Sequence, residues 1–339
     1  MDDGSSTLGA LGWNARLAAL AESEALADAR VGRVSRVDRG LVTVLTADGV
    51  ERAIPAAGPV ATGDWVLLQD RDDEVVVARM LPRHSAFVRG DPMEGEGRDA
   101  QVLAANLDVV FVVHALNNGP NLRRLERELV LVYDSGALPV LVCTKADLAP
   151  ATDDVEQEVS AIAPGLDVVI TSAVTGAGID ELRRYTGDGK TVALIGASGV
   201  GKSTLVNELI GDDVQATGDV RTGDQRGRHT TTARELIPLP GGGVLIDTPG
   251  LRAVSLWDAD VGLSRAFADI EALAAQCRFS DCAHGSEPGC AVLAAVDSGE
   301  LDRDRLDHYL QLDQELDVAA RRREARIMSR AARQLYTRR

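Results

Sequence analysis

The chain has 339 residues, of which 45% are hydrophobic and 26% are charged, a composition typical of a globular protein with two or three domains. It contains no apolar run of about 18 residues and its acidic N-terminus does not resemble a signal peptide, so we expect a cytoplasmic protein without a membrane span. Four cysteines in a chain of this length do not predict a disulfide framework. The formal net charge of −16 argues at first sight against a nucleic-acid partner, although the charge is unevenly distributed.

The first quarter of the chain predicts a short lead-in followed by a small β-barrel. Residues 1–29 are Ala-rich with helical character from Trp13 to Ala29, and we expect a mobile lead-in. From residue 30 to 82, β-prone runs alternate with Gly- and Asp-rich turns. The five predicted strands are 32–37, 41–46, 50–54, 64–69 and 74–80. Five short strands in about fifty residues favour an OB-fold, which either binds RNA or serves as a structural or protein-docking barrel.

A Gly-, Pro- and charge-rich stretch from Leu81 to Arg98 predicts a linker, after which an α/β pattern begins. The apolar run 138–143 predicts a buried strand and ends at Thr144-Lys145-Ala146-Asp147, which resembles the guanine-reading [NT]-K-x-D loop of GTPases. The Asp147 carboxylate could accept hydrogen bonds from guanine N1–H and N2–H₂, a pair that adenine does not offer. After the predicted strand 167–170, Thr171, Ser172 and Ala173 resemble the loop whose backbone N–H contacts guanine O6.

The next motif predicts a phosphate-binding loop. An apolar strand from Thr191 to Ile195 leads into a G-x-x-x-x-G-K-[ST] sequence, and a helix follows from Lys202 to Ile210. Backbone N–H groups in such a turn converge on phosphates, the lysine reaches the β- and γ-phosphates, and the serine hydroxyl holds Mg²⁺. The residues predicted to bind the nucleotide here are Gly196, Ala197, Ser198, Gly199, Val200, Gly201, Lys202, Ser203 and Thr204.

Two further segments predict the residues around the γ-phosphate. Residues 211–232 are polar and Gly-rich, as a switch I region would be, and we expect Thr231 to join Ser203 in the Mg²⁺ shell. Asp247-Thr248-Pro249-Gly250 follows an apolar run, so that the Asp247 carboxylate could reach the Mg²⁺ shell and the Gly250 N–H the γ-phosphate. The predicted catalytic set is therefore Lys202, Thr231, Asp247 and Gly250.

The order of these motifs is unusual. Ordinary GTPases place the phosphate-binding loop first, whereas here the base-reading loops at 144–147 and 171–173 precede it. Because the termini of a domain commonly lie close together at the surface, joining them and opening the chain elsewhere preserves the core. The sequence therefore predicts a circularly permuted GTPase domain over residues 83–256.

The last segment, residues 257–339, predicts a metal-binding helical domain. Its ligand candidates have the spacing C-x₄-C-x-H-x₅-C, and three thiolates with one imidazole make a closed tetrahedral set suited to one structural Zn²⁺. These candidates are Cys277, Cys282, His284 and Cys290. Residues 301–334 predict a helix whose arginine-rich end is either a solvated tail or an rRNA contact.

Taken together, these motifs resemble the ribosome small subunit-dependent GTPase A family, also called YjeQ. The resemblance rests on RGLVTVLTADG, TKADL, GASGVGKSTLVNEL, GRHTTT, DTPGLR and CRFSDCAHGSEPGCAV, and it covers nearly the whole chain. It implies an OB-fold, a permuted GTPase domain and a zinc domain that together act in late maturation of the 30S subunit and bind 16S rRNA. It also implies slow hydrolysis of GTP with Mg²⁺, stimulated by the subunit, and we expect a monomer.

One departure from Ras-like enzymes limits the catalytic mechanism. Leu251 stands where those enzymes carry the glutamine that orients the attacking water, and an apolar side chain does not do so. A GTP-gated binding module with negligible hydrolysis is therefore the alternative function. A metabolic P-loop enzyme that phosphorylates a small molecule is a third, against which the TKAD and DTPG motifs argue.

Overall fold

The computed structural model describes residues 3–24, 26–90, 100–119, 121–149, 153–211, 234–247 and 259–337. The strands are β1 Arg30–Val37, β2 Val42–Thr46, β3 Gly49–Ala53, β4 Trp65–Arg71, β5 Glu74–Met80, β6 Ala86–Gly90, β7 Ala100–Ala105, β8 Val109–Ala115, β9 Leu138–Thr144, β10 Asp167–Ile170, β11 Thr191–Gly196, β12 Glu235–Pro238 and β13 Val244–Asp247. The helices are α1 Asp3–Ala10, α2 Ala15–Ser23, α3 Leu122–Ser135, α4 Asp153–Ile162, α5 Ile179–Arg184, α6 Lys202–Ile210, α7 Asp260–Ala266, α8 Ala268–Ala274, α9 Ala291–Ser298 and α10 Arg303–Thr337.

The first five strands form the predicted barrel. β1 pairs with both β2 and β4, β3 follows β2, and β5 follows β4, all antiparallel. A parallel bridge between Ile54 and Val76 joins the end of β3 to β5 and completes the ring. Its interior contains a separate cluster of small apolar side chains, Val34, Val42, Val44, Ala53, Val66, Leu68 and Val77. The five predicted strands and the OB-type barrel are confirmed.

The strands after β7 build a sheet in the order β10-β9-β8-β11-β13-β12. All neighbours pair in parallel except β12, which is antiparallel to β13. Apolar side chains cover both faces in two clusters, which explains why β8, β9 and β11 have continuous apolar sequences. Because parallel strands end at the same edge, the predicted nucleotide-binding loops meet at the carboxyl edge of this sheet.

The barrel is joined directly to this sheet. Arg36 of β1 pairs with Glu235 of β12, so one hydrogen-bonded sheet runs from the GTPase core into the barrel. Arg33, also on β1, is buried at the junction, where its guanidinium donates to the Leu11 carbonyl and, at 2.6 Å, to Thr191 Oγ1 of β11. Burial lowers the pKa of Arg33 to about 10, which leaves the side chain charged at neutral pH.

Two segments differ from the sequence prediction. The described part of the mobile lead-in instead forms α1 and α2, and it packs on the barrel because Leu11 and Leu17 are buried and Trp13 lies 5.0 Å from Trp65 between ring centroids. The predicted linker contains strand β6, which pairs with β7 in a separate hairpin. Phe87 is buried and anchors that hairpin in the core, a position that the surrounding Gly, Pro and charged residues obscured in the sequence.

The C-terminal helices pack against α3 of the GTPase core. α7 crosses α3 closely at Gly262, where an added Cβ would lie 2.1 Å from the Val130 carbonyl oxygen. A buried ionic cluster joins α3 to α8 and α10: Glu126 accepts from Arg305 at 2.5 Å and from His308, and Arg305 also contacts Asp269. The C-terminal segment is thus fastened to the core by both packing and charge.

Among the described helices, none combines the length and the apolar character that a membrane crossing requires.

Candidate functional site: a nucleotide-binding loop and a Cys₃His cluster

The phosphate-binding loop lies between β11 and α6, where it was predicted. Gly196 ends the strand with φ +137, and a Cβ at this position would be 2.3 Å from the Val113 carbonyl oxygen of β8. Only glycine fits this approach, because any side chain would have to displace backbone atoms of the neighbouring strand. The turn that follows has left-handed backbone at Gly199 and Gly201, and it delivers the chain into the first turn of α6.

The Lys202 side chain folds back over the phosphate-binding loop. The Lys202 Nζ donates to the Gly196 carbonyl at 2.9 Å and to the Ala197 carbonyl, so the ammonium lies at the mouth of the loop. Ser203 and Thr204 occupy the first turn of α6 and are exposed to solvent. The N–H groups of a helix N-terminus and a nearby ammonium suit a polyphosphate bound along residues 196–204.

The TKAD loop lies against the phosphate-binding loop, and the second base-reading loop lies against TKAD. The Thr144 hydroxyl donates to the Val200 carbonyl, and Lys145 Nζ donates to the Gly199 carbonyl at 2.8 Å. Lys145 has left-handed backbone (φ +60), which turns the chain so that Asp147 faces solvent. These contacts fix the position of the TKAD loop relative to residues 196–201.

The third loop supports the Asp147 carboxylate. Ser172 Oγ donates to Asp147 Oδ1 at 2.6 Å, and the Ala146 N–H donates to the Thr171 carbonyl at 3.1 Å. Ala173 follows and is partly exposed beside this pair. A bound base would meet an oriented, acceptor-only carboxylate here, the group that guanine's N1–H and N2–H₂ require.

The structure adds residues that the sequence prediction did not assign to the site. A cleft of about 280 Å³ lies beside the phosphate-binding loop and is lined on its far side by His114 and by Arg124 of α3. His114 Nε2 lies 2.8 Å from Glu128 Oε2, and Arg124 pairs with the other carboxylate oxygen at 3.0 Å. His114 is thus a satisfied strand-end histidine, and only the fold reveals its neighbours on α3.

Of the three residues predicted around the γ-phosphate outside the phosphate-binding loop (Thr231, Asp247 and Gly250), Asp247 is the one that the structure describes. It ends β13, opposite Glu235 and one residue beyond the pairing of Ile246 with Ala193 of β11, which places it at the carboxyl edge of the sheet. Thr231 and Gly250 lie outside the described residues. Their assignments stay predictions.

The four predicted zinc ligands come together between α8 and α9. Their ligand atoms all lie within 4.8 Å of one another. Cys277 Sγ and Cys290 Sγ are 3.8 Å apart, and His284 Nδ1 is 3.7 Å from the first and 3.4 Å from the second. A tetrahedral Zn²⁺ with ordinary bond lengths requires about 3.8 Å between sulfurs and about 3.6 Å between sulfur and nitrogen. The cluster therefore has the dimensions of a metal site, with three sulfurs and one nitrogen.

The pKa values of the cysteine thiols differ with their surroundings. Although burial alone would raise it, the N–H groups of Val292 and Ala291 hold the pKa of the Cys277 thiol below its usual value. Burial in β9 raises the pKa of Cys143 to about 12. Cys143 is thus an inert core thiol, whereas the N–H groups around Cys277 stabilise its thiolate, the form that binds metal. Although the His284 N–H lowers it, burial and the neighbouring Cys290 and Cys277 thiols raise the pKa of Cys282 to about 11.

The fold and the site define a circularly permuted P-loop GTPase with an OB-type barrel before it and a Cys₃His helical segment after it. Residues 80–257 match the RsgA GTPase family, and this chain belongs to that family. It is 47% identical to the small ribosomal subunit biogenesis GTPase RsgA of Streptomyces avermitilis, over 93% of this chain and 86% of the relative. It is 41% identical to the protein of the same name from Methanosarcina acetivorans, over 92% of this chain and 86% of the relative.

Solved structures give the same fold. YjeQ from Thermotoga maritima is 29% identical, with a TM-score of 0.62 over 85% of this chain and 98% of that one. YloQ, described as a circularly permuted GTPase, is 26% identical, with a TM-score of 0.60 over 86% of this chain and 96% of that one. The permuted order of the nucleotide-binding loops is confirmed as a property of the fold that these proteins share.

Proposed function

We propose that this protein hydrolyses GTP to GDP and phosphate while bound to the small ribosomal subunit, and that it acts in late maturation of that subunit. The relatives named above are small ribosomal subunit biogenesis GTPases, and the chain spans most of their length. The observation that carries the proposal is the set of hydrogen bonds from Thr144 and Lys145 to the carbonyls of Val200 and Gly199. These bonds hold a guanine-type acceptor loop at a fixed distance from a phosphate-binding loop, an arrangement that supports a bound GTP.

Each residue of the site has a defined task in this proposal. Lys202 leaves the Gly196 and Ala197 carbonyls and contacts the β- and γ-phosphates, while backbone N–H groups of residues 196–204 surround the rest of the polyphosphate. Asp147 and the Ser172–Ala173 loop read the base. Ser203, Asp247 and Thr231 hold Mg²⁺, which neutralises charge that develops on the phosphates, and the Gly250 N–H contacts the γ-phosphate.

The remaining segments have supporting roles. Cys277, Cys282, His284 and Cys290 bind one structural Zn²⁺, because a set of four protein ligands leaves no open position for substrate. We take residues 30–82 as the barrel, 83–256 as the GTPase domain and 257–339 as the zinc domain. The protein acts as a cytoplasmic monomer whose partners are GTP or GDP and the 16S rRNA of the 30S subunit.

Phosphate release with and without purified 30S subunits tests this function. We expect slow release by the protein alone and a large stimulation by the subunit. The Lys202→Ala variant should be inactive in both conditions, because it removes the cation nearest the transferred phosphate. Tight GTP binding without subunit-stimulated release would refute the proposal and favour a GTP-gated binding module.

A further inference from the structure

The loop that carries His284 is held by the carboxylate of Glu287. One carboxylate oxygen, Oε2, accepts hydrogen bonds from the Gly285 N–H at 2.8 Å and from the Ser286 N–H at 2.9 Å. The other, Oε1, accepts from the Ala283 N–H at 3.1 Å. Hydrogen bonds to an ionised acceptor are stronger than those between neutral groups. Three backbone donors from both sides of His284 therefore converge on one charged side chain.

His284 needs this support because its backbone is left-handed, with φ +56. That region is uncommon for residues other than glycine, and a side chain stays there only where its surroundings impose it. The same conformation brings the imidazole into the cluster, since the residue is buried and its Nδ1 lies 3.4 Å from Cys290 Sγ. If the loop relaxed to ordinary backbone, the imidazole would turn away from the three sulfurs.

Glu287 also contacts the segment of the next ligand without being a ligand itself. Its backbone carbonyl accepts from the Cys290 N–H at 3.3 Å. The four ligand atoms that cluster within 4.8 Å come from the three cysteines and His284. Within the described residues, the Glu287 carboxylate contacts backbone N–H groups and no cation. The role that these contacts give the carboxylate is to shape the loop.

The charge of Glu287 acts against metal binding, whereas its hydrogen bonds favour it. Zn²⁺ with three thiolates and a neutral imidazole carries a net negative charge, so a nearby carboxylate repels it. The two effects predict opposite results for a neutral side chain at this position: loss of the repulsion tightens metal binding, and loss of the hydrogen bonds weakens it. Because Glu287 is partly exposed, solvent screens the repulsion and the hydrogen bonds dominate.

We propose that Glu287 is a positioning residue of the metal centre, which holds residues 283–286 in the conformation that presents His284 to Zn²⁺. This inference rests on the zinc site of the proposed function, and it assigns a task to a residue outside the ligand set. Removal of groups that orient metal ligands commonly lowers metal affinity by about 10–100-fold. We expect an effect of that size at Glu287, and we expect it to act through His284.

Competition between the full chain and a chromophoric chelator measures zinc affinity. Glu287→Ala should bind Zn²⁺ about 10–100-fold more weakly than the wild type. Glu287→Gln should also bind it more weakly, because one amide oxygen replaces two carboxylate oxygens and the NH₂ group faces backbone donors. Asp281→Asn is the matched control, since it removes the same charge from the same metal-binding segment. Asp281 is exposed and its side chain accepts no hydrogen bond from the described residues, so this variant should keep the wild-type affinity.

Two further measurements separate a positioning role from a general loss of structure. In Co²⁺-substituted protein, the ligand-field bands report the donor set, and Glu287→Ala should move them toward those of His284→Ala. When Glu287→Ala is added to His284→Ala, metal affinity should fall little further, because residues that act as one unit are not additive. If Glu287→Ala does not fold, Glu287→Gln takes its place in both measurements.

The other outcomes overturn the inference. These are wild-type zinc affinity in both Glu287 variants, tighter binding in Glu287→Gln, an equal loss in Asp281→Asn, and additive losses in the double variant. A wild-type protein that binds no Zn²⁺ would refute the zinc site and the inference together. Phosphate release with 30S subunits is measured on the same preparations. A wild type that holds Zn²⁺ but shows no stimulation by the subunit would remove the proposed GTPase function, and the zinc affinities would still decide the role of Glu287.

Discussion

The buried ionic cluster between α3 and α10 should be the main electrostatic attachment of the zinc domain, and Glu126→Leu should release it. Glu126 is 3% exposed, and its two carboxylate oxygens accept from Arg305 at 2.5 Å and from His308. Arg305 is 7% exposed and retains Asp269 as its remaining carboxylate partner. Removing Glu126 therefore leaves the buried Arg305 without one of its two carboxylate partners and the buried His308 without its carboxylate acceptor.

The expected loss of local stability follows from the burial of Arg305 and His308. Removal of one partner from a buried ion pair costs about 3–5 kcal/mol, and here it leaves His308 without its carboxylate acceptor and Arg305 with Asp269 alone as a carboxylate partner. Because a chain with several domains does not unfold in one step, a global unfolding curve would blur the effect. Hydrogen exchange of the first half of α10 measures the local free energy of opening, and this value should fall by about 3–5 kcal/mol in Glu126→Leu.

The two helices also supply a matched control. Arg123 of α3 and Asp304 of α10 form an ion pair of 3.4 Å whose side chains are 57% and 85% exposed. Such exposed pairs contribute about 0–1 kcal/mol, so Arg123→Gln should change the opening free energy by less than about 1 kcal/mol. Equal effects of the two substitutions would refute the reasoning, because burial would then not distinguish the pairs.

Three further predictions concern the base, the metal and the Asp108 carboxylate. Asp147→Asn should weaken GTP binding and shift preference toward xanthosine nucleotides in a fluorescence titration; unchanged GTP affinity would contradict the role of this loop. Cys282→Ser should lower zinc content by elemental analysis while GTP still binds, and a wild-type protein without zinc would contradict the site. Although burial alone would raise it, hydrogen bonds from His84 and the Thr191 N–H lower the pKa of Asp108. The ionised Asp108 carboxylate therefore stabilises the fold. Its contribution to the free energy of unfolding is complete above the ordinary pKa of the carboxyl group and is lost as the pH falls through the pKa of the folded state. In Asp108→Asn, the free energy of unfolding should therefore depend less on pH in the acid range.

Local patterns in the sequence were sufficient to predict most of the fold. The barrel strands, the P-loop helix Lys202–Ile210 and strand β10 lie where alternation, apolar runs and glycine turns put them, because each depends on residues close in sequence. The metal cluster could also be predicted from the sequence, since its four ligands lie within fourteen residues. The β6 strand was missed because a short hairpin strand with one buried aromatic has no clear alternation.

The long-range contacts could not be predicted from the sequence. The bonds from Thr144 and Lys145 to the phosphate-binding loop join positions more than fifty residues apart, and Arg305 meets Glu126 across 179 residues. No spacing rule encodes such pairs. The burial of Arg33 could not be predicted from the sequence either, because its hydrogen-bond partners belong to the N-terminal segment, the hairpin region and β11.

These attachments bear on how the nucleotide state reaches the flanking domains. The order of the motifs predicts that the C-terminal segment responds to the nucleotide state, since residues 248–258 join β13 to α7 in the chain. The structure gives the barrel a second connection, because β12 follows the predicted switch I segment and its outer edge pairs with β1 through Arg36 and Glu235. An exposed strand edge is a ready docking site for another strand, and here a strand of the same chain occupies it. A change in β12 would therefore reach the barrel across one backbone pairing, whereas a change transmitted through α3 to the zinc domain would have to move the buried Glu126 cluster. We therefore expect the barrel to be the flanking domain that responds to the nucleotide state at the lower energetic cost.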